Sequence, residues 1–306
     1  MKRLACIALL LGCETQSVAE DAFASTDVHI SDAYMEPDAA LAPCCVESHF
    51  ASFPIPSTPG EGLPYEARYT VMLERVHDDI TGLIWQLRTD GVRRSLDEAE
   101  AYCEALVLEG QGDFHLPTRI ELITLLELAR SPTIALALAP TEPEYHWSSS
   151  RYAARSTSAF SVYFGAGAVD LARGENRSAL ARCVARPDGE SIAQGPTVQG
   201  AFARDIATGL RWMRSSLPAS PYAEAEAACL REGMSMPTLR ELASTLDDAR
   251  TAPAFNTEVF GEEAGAMLWT RTLTTAPGER WIIETNEGRS QARSESETAR
   301  ARCVLR

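Results

Sequence analysis

Asp78-Asp79-Ile80-Thr81-Gly82-Leu83-Ile84-Trp85 returns 127 residues later as Asp205-Ile206-Ala207-Thr208-Gly209-Leu210-Arg211-Trp212, with Asp, Thr, Gly, Leu and Trp at the same spacing both times. A repeat of this period means that one structural unit is built twice. In each occurrence the Asp and Thr side chains can bond the backbone of a tight turn and Gly can take positive φ, while Leu and Trp then point inward on the following strand. Asp78, Thr81, Gly82 and Trp85, with Asp205, Thr208, Gly209 and Trp212, are therefore structural residues of a hairpin that enters a core.

Downstream the repeat continues in the same order. Ser95-Leu96-Asp97-Glu98 is a capping-box start for a helix running through Cys103 toward Gly110, and Ser220-Pro221 opens its counterpart before Cys229 with Ser at the N-cap and Pro first in the helix. Ala99, Cys103 and Leu106 share one face of that helix, so the thiol points where apolar groups point. Pro117-Thr118 and Glu121-Leu122 recur as Pro237-Thr238 and Glu241-Leu242. Glu121 invites a catalytic reading, but Thr118-x-x-Glu121 and Thr238-x-x-Glu241 are themselves capping boxes, and we read them as helix starts. Trp147 recurs as Trp269, each on a core strand that small hydroxyl residues then leave, and Phe160 to Gly165 alternates as a hairpin strand should, with Trp281-Ile282-Ile283 in its place in the second copy. Arg182-Cys183-Val184 recurs as Arg302-Cys303-Val304. Two copies follow, 66–187 and 197–306.

The first residues, Met1-Lys2-Arg3 and an apolar run from Leu4 to Leu11, have the form of an export signal too short to span a membrane. Gly12-Cys13 after Leu10-Leu11 resembles a bacterial lipobox, which makes residues 1–12 the signal and Cys13 the lipidated first residue. Cleavage after Ser17-Val18-Ala19 is the alternative. Residues 14–65 are acidic and rich in Ala, Pro and Ser, as a tether is. Either route places the mature protein outside the cytoplasm, where disulfides persist. Cys6 leaves with the signal and Cys13 carries lipid, so six cysteines remain and fifteen pairings are open in principle. The repeat selects Cys103 with Cys183 and Cys229 with Cys303, because each copy owns one helix cysteine and one near its last strand. Closing a loop of about 80 residues stabilises a domain by roughly 4 kcal/mol in the chain-entropy model. Cys44 and Cys45 stay unassigned: a vicinal disulfide, a bond to another chain and free thiols are all open.

The ordered set Asp-x-x-Thr-Gly-Leu-x-Trp, helix cysteine, Leu116-Pro117-Thr118-Arg119-Ile120-Glu121-Leu122, Trp147-Ser148-Ser149 and Arg-Cys-Val resembles the Lcl C-terminal domain family, named after a collagen-like adhesin of Legionella. The likeness is nearly intact across 76–186 and weaker across 202–306, where Met236-Pro237 and Trp269-Thr270-Arg271 depart from it. The element order is also similar to the C-type lectin fold. The resemblance implies an α+β protein of two tandem C-type-lectin-like domains, each with two helices and a small, mostly antiparallel sheet closed by one disulfide. It implies a surface module used for adhesion or ligand binding, often of carbohydrate, and carries no binding residue to any position here. Neither Glu-Pro-Asn nor Gln-Pro-Asp occurs, so calcium-dependent sugar binding is not expected, and the collagen-like stalk is missing.

With a net charge of −15, the chain is a poor ligand for nucleic acid or anionic lipid. Lys2 is the only lysine, and we attach no function to the preference for arginine. The histidines at 29, 49, 77, 115 and 146 lack metal-binding spacing, and there is no Gly-x-Ser-x-Gly elbow, phosphate loop or dinucleotide fingerprint. We expect no catalytic residue, metal or cofactor. The expected activity is recognition or adhesion at the bacterial cell envelope, on the outer membrane, with a glycan or an envelope protein as partner and membrane attachment through lipid on Cys13. An architectural subunit docking another protein is the alternative, and an enzyme of the formylglycine-generating kind the second alternative. Tyr145, Arg151, Tyr152 and Asp170, in the stretches flanking Trp147 where lectin-like folds place ligand loops, are the candidate contacts.

Overall fold

The turn that decides the fold closes as its residue types require. Gly82 N–H donates to the Asp78 carbonyl at 2.7 Å, Thr81 N–H to Asp78 Oδ1 at 3.3 Å and Leu83 N–H to Thr81 Oγ1 at 3.3 Å. Gly82 sits at φ +68° and Gly209 at φ +73°, in the left-handed region that glycine enters without steric cost. Trp85 and Trp212, on the strands that follow, are completely buried. Truncating either to Ala would cost about 3–5 kcal/mol.

The computed structural model describes residues 69–306 except 80, 129–132, 139, 173–176, 187–195, 206–208 and 262. Thr208, Cys13, Cys44, Cys45, the export signal and the tether lie outside the described residues. In copy one, β1 (Tyr69–Val71), β2 (Arg75–Asp78), β3 (Ile84–Gln86) and β7 (Val184–Ala185) make an antiparallel sheet in the order β1-β2-β3-β7. Copy two repeats it with β8 (Thr197–Gln199), β9 (Phe202–Arg204), β10 (Arg211–Met213) and β16 (Val304–Leu305). Trp85 lies opposite Val184 and Trp212 opposite Val304, so the first hairpin of each copy is zipped to its last strand.

A second sheet in copy one holds β4 (Tyr145–Tyr152), β5 (Arg155–Tyr163) and β6 (Ala168–Ala172). Its counterpart has five strands, β11 (Leu217–Ser220), β12 (Met267–Leu273), β13 (Glu279–Glu284), β14 (Ser290–Ser294) and β15 (Ala299–Ala301), ordered β11-β15-β12-β13-β14. Within this sheet the β12–β15 contact is parallel and the other described pairings are antiparallel. Copy one keeps the extra pairings as single bridges, Arg94 to Ala179 and His146 to Leu180.

Among the described residues the α-helices are α1 (Leu96–Glu104) and α2 (Arg119–Thr124) in copy one, and α3 (Tyr222–Arg231), α4 (Leu239–Ala243) and α5 (Thr257–Phe260) in copy two, one more there than the expected pair. Complete capping boxes start α1, α2 and α4, from Ser95, Thr118 and Thr238. α3 departs from expectation: Ser220 is drawn into β11 opposite Ala299, and Pro221 becomes an N-cap without a side-chain bond. α1 stops at Glu104, because Leu108 and Gln111 pair across a turn in which Gly110 takes φ +79°. The strands carrying Trp147 and Phe160 also differ from the reading. Ser148 and Ser150 are buried, bonding the Phe160 carbonyl and the Arg119 N–H, and residues 158–162 are buried without alternation because both faces of β5 are covered.

Cys103 bonds Cys183 and Cys229 bonds Cys303, with Cα atoms 5.3 and 5.5 Å apart. The arginine before each closing cysteine is fully buried. Arg182 donates to the carbonyls of Gln86 and Leu87 at 2.7 and 2.8 Å and to Thr141 Oγ1, while Arg302 donates to those of Met213 and Arg214 and to Glu263. Burial pushes both guanidinium pKa values down to about 10. The preference for arginine therefore has a structural use that composition did not show: a planar fork ties the end of the first hairpin to the last strand.

Candidate functional site

Alternation along β4 sorts the candidate contacts. Tyr145, Trp147 and Arg151 fall on one face with Tyr163, Ser161 and Ala159 of β5 and Asp170 of β6, as the cross-strand partners show. Tyr152 falls on the other, where its ring meets Phe160 edge-on at 6.4 Å and its hydroxyl accepts from Thr251 Oγ1 of copy two at 3.4 Å. Three of the four expected residues thus share an outer face, and Tyr152 faces the join between the copies. Tyr145, Arg151 and Tyr152 all stand on β4 itself rather than in irregular loops, a correction to the reading.

α1 covers part of that outer face. Its Leu96, Ala99 and Cys103 pack with Trp147, Ala159 and Ala172 in one buried cluster, and Trp147 Nε1 donates to the Arg94 carbonyl at 2.8 Å. Trp147 is only 3% exposed, so it forms a floor and offers no ring face to a ligand. Where α1 ends its cover, a groove of about 390 Å3 opens between Ser95 and Asp97 on one side and Arg151, Ser156, Thr157 and Arg177 on the other. Arg151 is held there by both Glu100 carboxylate oxygens at 2.6 Å, with Asp97 at 3.8 Å. The other end of the face is aromatic. Tyr145, 39% exposed, stacks on Tyr163 with centroids 4.9 Å apart. Burial and the nearby Asp170 carboxylate raise the Tyr145 hydroxyl pKa, so it stays a neutral donor and acceptor. Asp170 accepts from the Leu171 N–H and lies 3.7 Å from Arg289 of copy two.

The same place in copy two is closed. Tyr222 replaces Leu96 at the start of α3, its ring edge-on to Trp269 at 5.8 Å and roofed by Arg280 at 4.2 Å. Arg280 is fixed by Glu295 at 2.6 Å and by the Arg271 carbonyl at 2.5 Å. Leu273 stands where copy one has Arg151, and Glu297 where it has Arg177. Copy two has plugged its groove and reversed a charge beside it.

Glu121 and Glu241 are bound into structure. Each accepts from the Thr N–H that begins its helix and pairs with the arginine two residues beyond Arg-Cys-Val: Glu121 with Arg186, Glu241 with Arg306 at 2.6 Å. Burial raises the Glu121 carboxyl, but His115, Arg186 and the Thr118 N–H outweigh it and leave the pKa below the ordinary value. The recurrence of Arg186 as Arg306 was a visible signal for this pair that the motif reading passed over. Among the described residues, no group of three or more His, Cys, Asp and Glu side chains could hold a metal ion, and no helix is long and apolar enough to cross a membrane.

The family model of the Lcl C-terminal domain matches residues 74–185 and, a second time, 201–305. No curated protein matches the chain.

Proposed function

Because the chain belongs to the Lcl C-terminal domain family, carrying two copies in tandem, we propose that it is a non-catalytic recognition module of the bacterial cell envelope that binds carbohydrate or another surface polymer through copy one. The observation that carries this reading is the contrast between equivalent faces. Copy one displays the Tyr145–Tyr163 stack and an open groove with Arg151 and Arg177, whereas copy two fills the same groove with its own Tyr222 and Arg280. A stacked aromatic pair beside guanidinium and hydroxyl donors suits a polar ligand that has apolar faces, as sugars do. Copy two then acts as a buttress that lends Arg289 to the rim.

We propose further that each copy is C-type-lectin-like, its disulfide joining the first helix to the residue before the last strand. Two such bonds favour an oxidising, extracytoplasmic setting, and export with lipid on Cys13 would hold the module at the outer membrane. A glycan array and solubilised envelope proteins, probed with the mature protein, separate the readings. Glycan hits support adhesion, protein partners alone point instead to an architectural subunit, and turnover of a bound compound would overturn the non-catalytic reading.

A further inference from the structure

We infer that the face joining the two copies is a self-recognition surface, shaped to take a second module of the same kind, so that the tandem is the single-chain form of a two-fold pair. Like meets like across it: α2 packs on α4, and β6 on β14. Val169 and Ser290 hold the same position in their copies, opposite Val162 and Ile283, and they touch each other, Val169 N–H donating to Ser290 Oγ at 2.9 Å. Contact between equivalent positions is the property of an isologous interface, in which one patch serves both partners.

The turn glycines preceding β6 and β14 are equivalent too, and both lie at the face. A Cβ on Gly288 would stand 2.9 Å from the Arg119 guanidinium of copy one, and a Cβ on Gly167 would stand 3.6 Å from the Trp281 ring of copy two. Buried arginines cross in both directions. Arg119 of α2 reaches the carbonyls of Glu287 and Gly288 at 3.0 and 3.2 Å and Asp248 at 2.6 Å, while Arg240 of α4 reaches the Leu126 carbonyl and, at 3.7 Å, Glu127. Around them a single apolar cluster runs from Leu125, Phe164 and Val169 to Leu242, Phe255 and Trp281. Separating the copies would expose this cluster and break the cross-copy contacts of both guanidinium groups, Arg119 with Glu287, Gly288 and Asp248 and Arg240 with Leu126 and Glu127, so the pairing does not depend on the linker.

Both disulfides close within a copy, leaving the chain segment 187–195 as the covalent join. The test is to insert a spacer with a protease site into that segment of the full chain, cut it, and follow the halves by size-exclusion chromatography at about 1 μM, the concentration at which a micromolar pair is half dissociated. The expected result is co-elution as a one-to-one particle, and cut Asp248→Arg should come apart at a concentration at least about tenfold higher, since it sets a second cation against Arg119. Halves that separate with both disulfides intact, or a cut Asp248→Arg protein as tight as the parent, would overturn the inference.

Discussion

His146 is an ionisable residue that copy one holds neutral. It is fully buried, edge-on to Phe164 at 4.8 Å, and burial together with the nearby Arg182 charge pushes its pKa down to about 3. The unfolded chain takes up this proton near the ordinary value of 6.5, while the folded chain refuses it until about 3. Stability attributable to this residue therefore falls as pH drops from 6.5 toward 3, by about 1.4 kcal/mol per unit. Thermal melts at pH 7, 5.5 and 4 should show His146→Phe with a shallower loss than the parent; parallel losses would contradict the assignment. In the sequence this histidine was only a residue without metal spacing, because a lone imidazole does not reveal which strand face it occupies. The buried arginines were less legible still. Arg119 faces Leu239 in the repeat and Ile120 faces Arg240, so a comparison that keeps only matching positions discards the two residues that cross between the copies.

Helix starts carry their own instructions, and here the sequence was most readable. Thr118 and Glu121 bond reciprocally as a Thr-x-x-Glu spacing demands, and the same holds for Thr238 and Glu241. Thr118→Ala should cost about 1 kcal/mol in urea unfolding. Glu121→Gln should cost about 3 kcal/mol, because it also leaves Arg186 without its carboxylate. Its depressed pKa gives the pair a pH signature: the carboxylate contributes stability above its unfolded value, and that contribution is lost as pH falls through the lower folded value. The Gln variant should therefore lose less stability than the parent on acidification below about pH 4.5. Equal costs for the two variants would show that Glu121 is a cap alone. Element boundaries were harder to read, since Ser220 was claimed by a strand pairing with Ala299 that lies far away in sequence. Local spacing names a cap but does not say whether a distant strand will take the residue first.

At the scale of the molecule, the repeat told the number of copies and the disulfide pairing, whereas the difference between their grooves came only from the structure. Copies that share the hairpin, disulfide and Arg-Cys-Val motifs differ at the groove, through Leu96 against Tyr222 and Arg151 against Leu273, positions outside the repeated motifs. Two substitutions at this matched pair test the division in one assay: binding of the mature protein to its surface ligand, measured for Arg151→Ala and for Leu273→Ala. Leu273 is exposed and Arg151 is half-buried, and neither belongs to a core cluster, so neither change should disturb folding. Loss of at least about tenfold in affinity for Arg151→Ala, the scale of a contact residue, with Leu273→Ala unchanged, is what recognition through copy one predicts. Equal affinities for both, or loss only in Leu273→Ala, would contradict it.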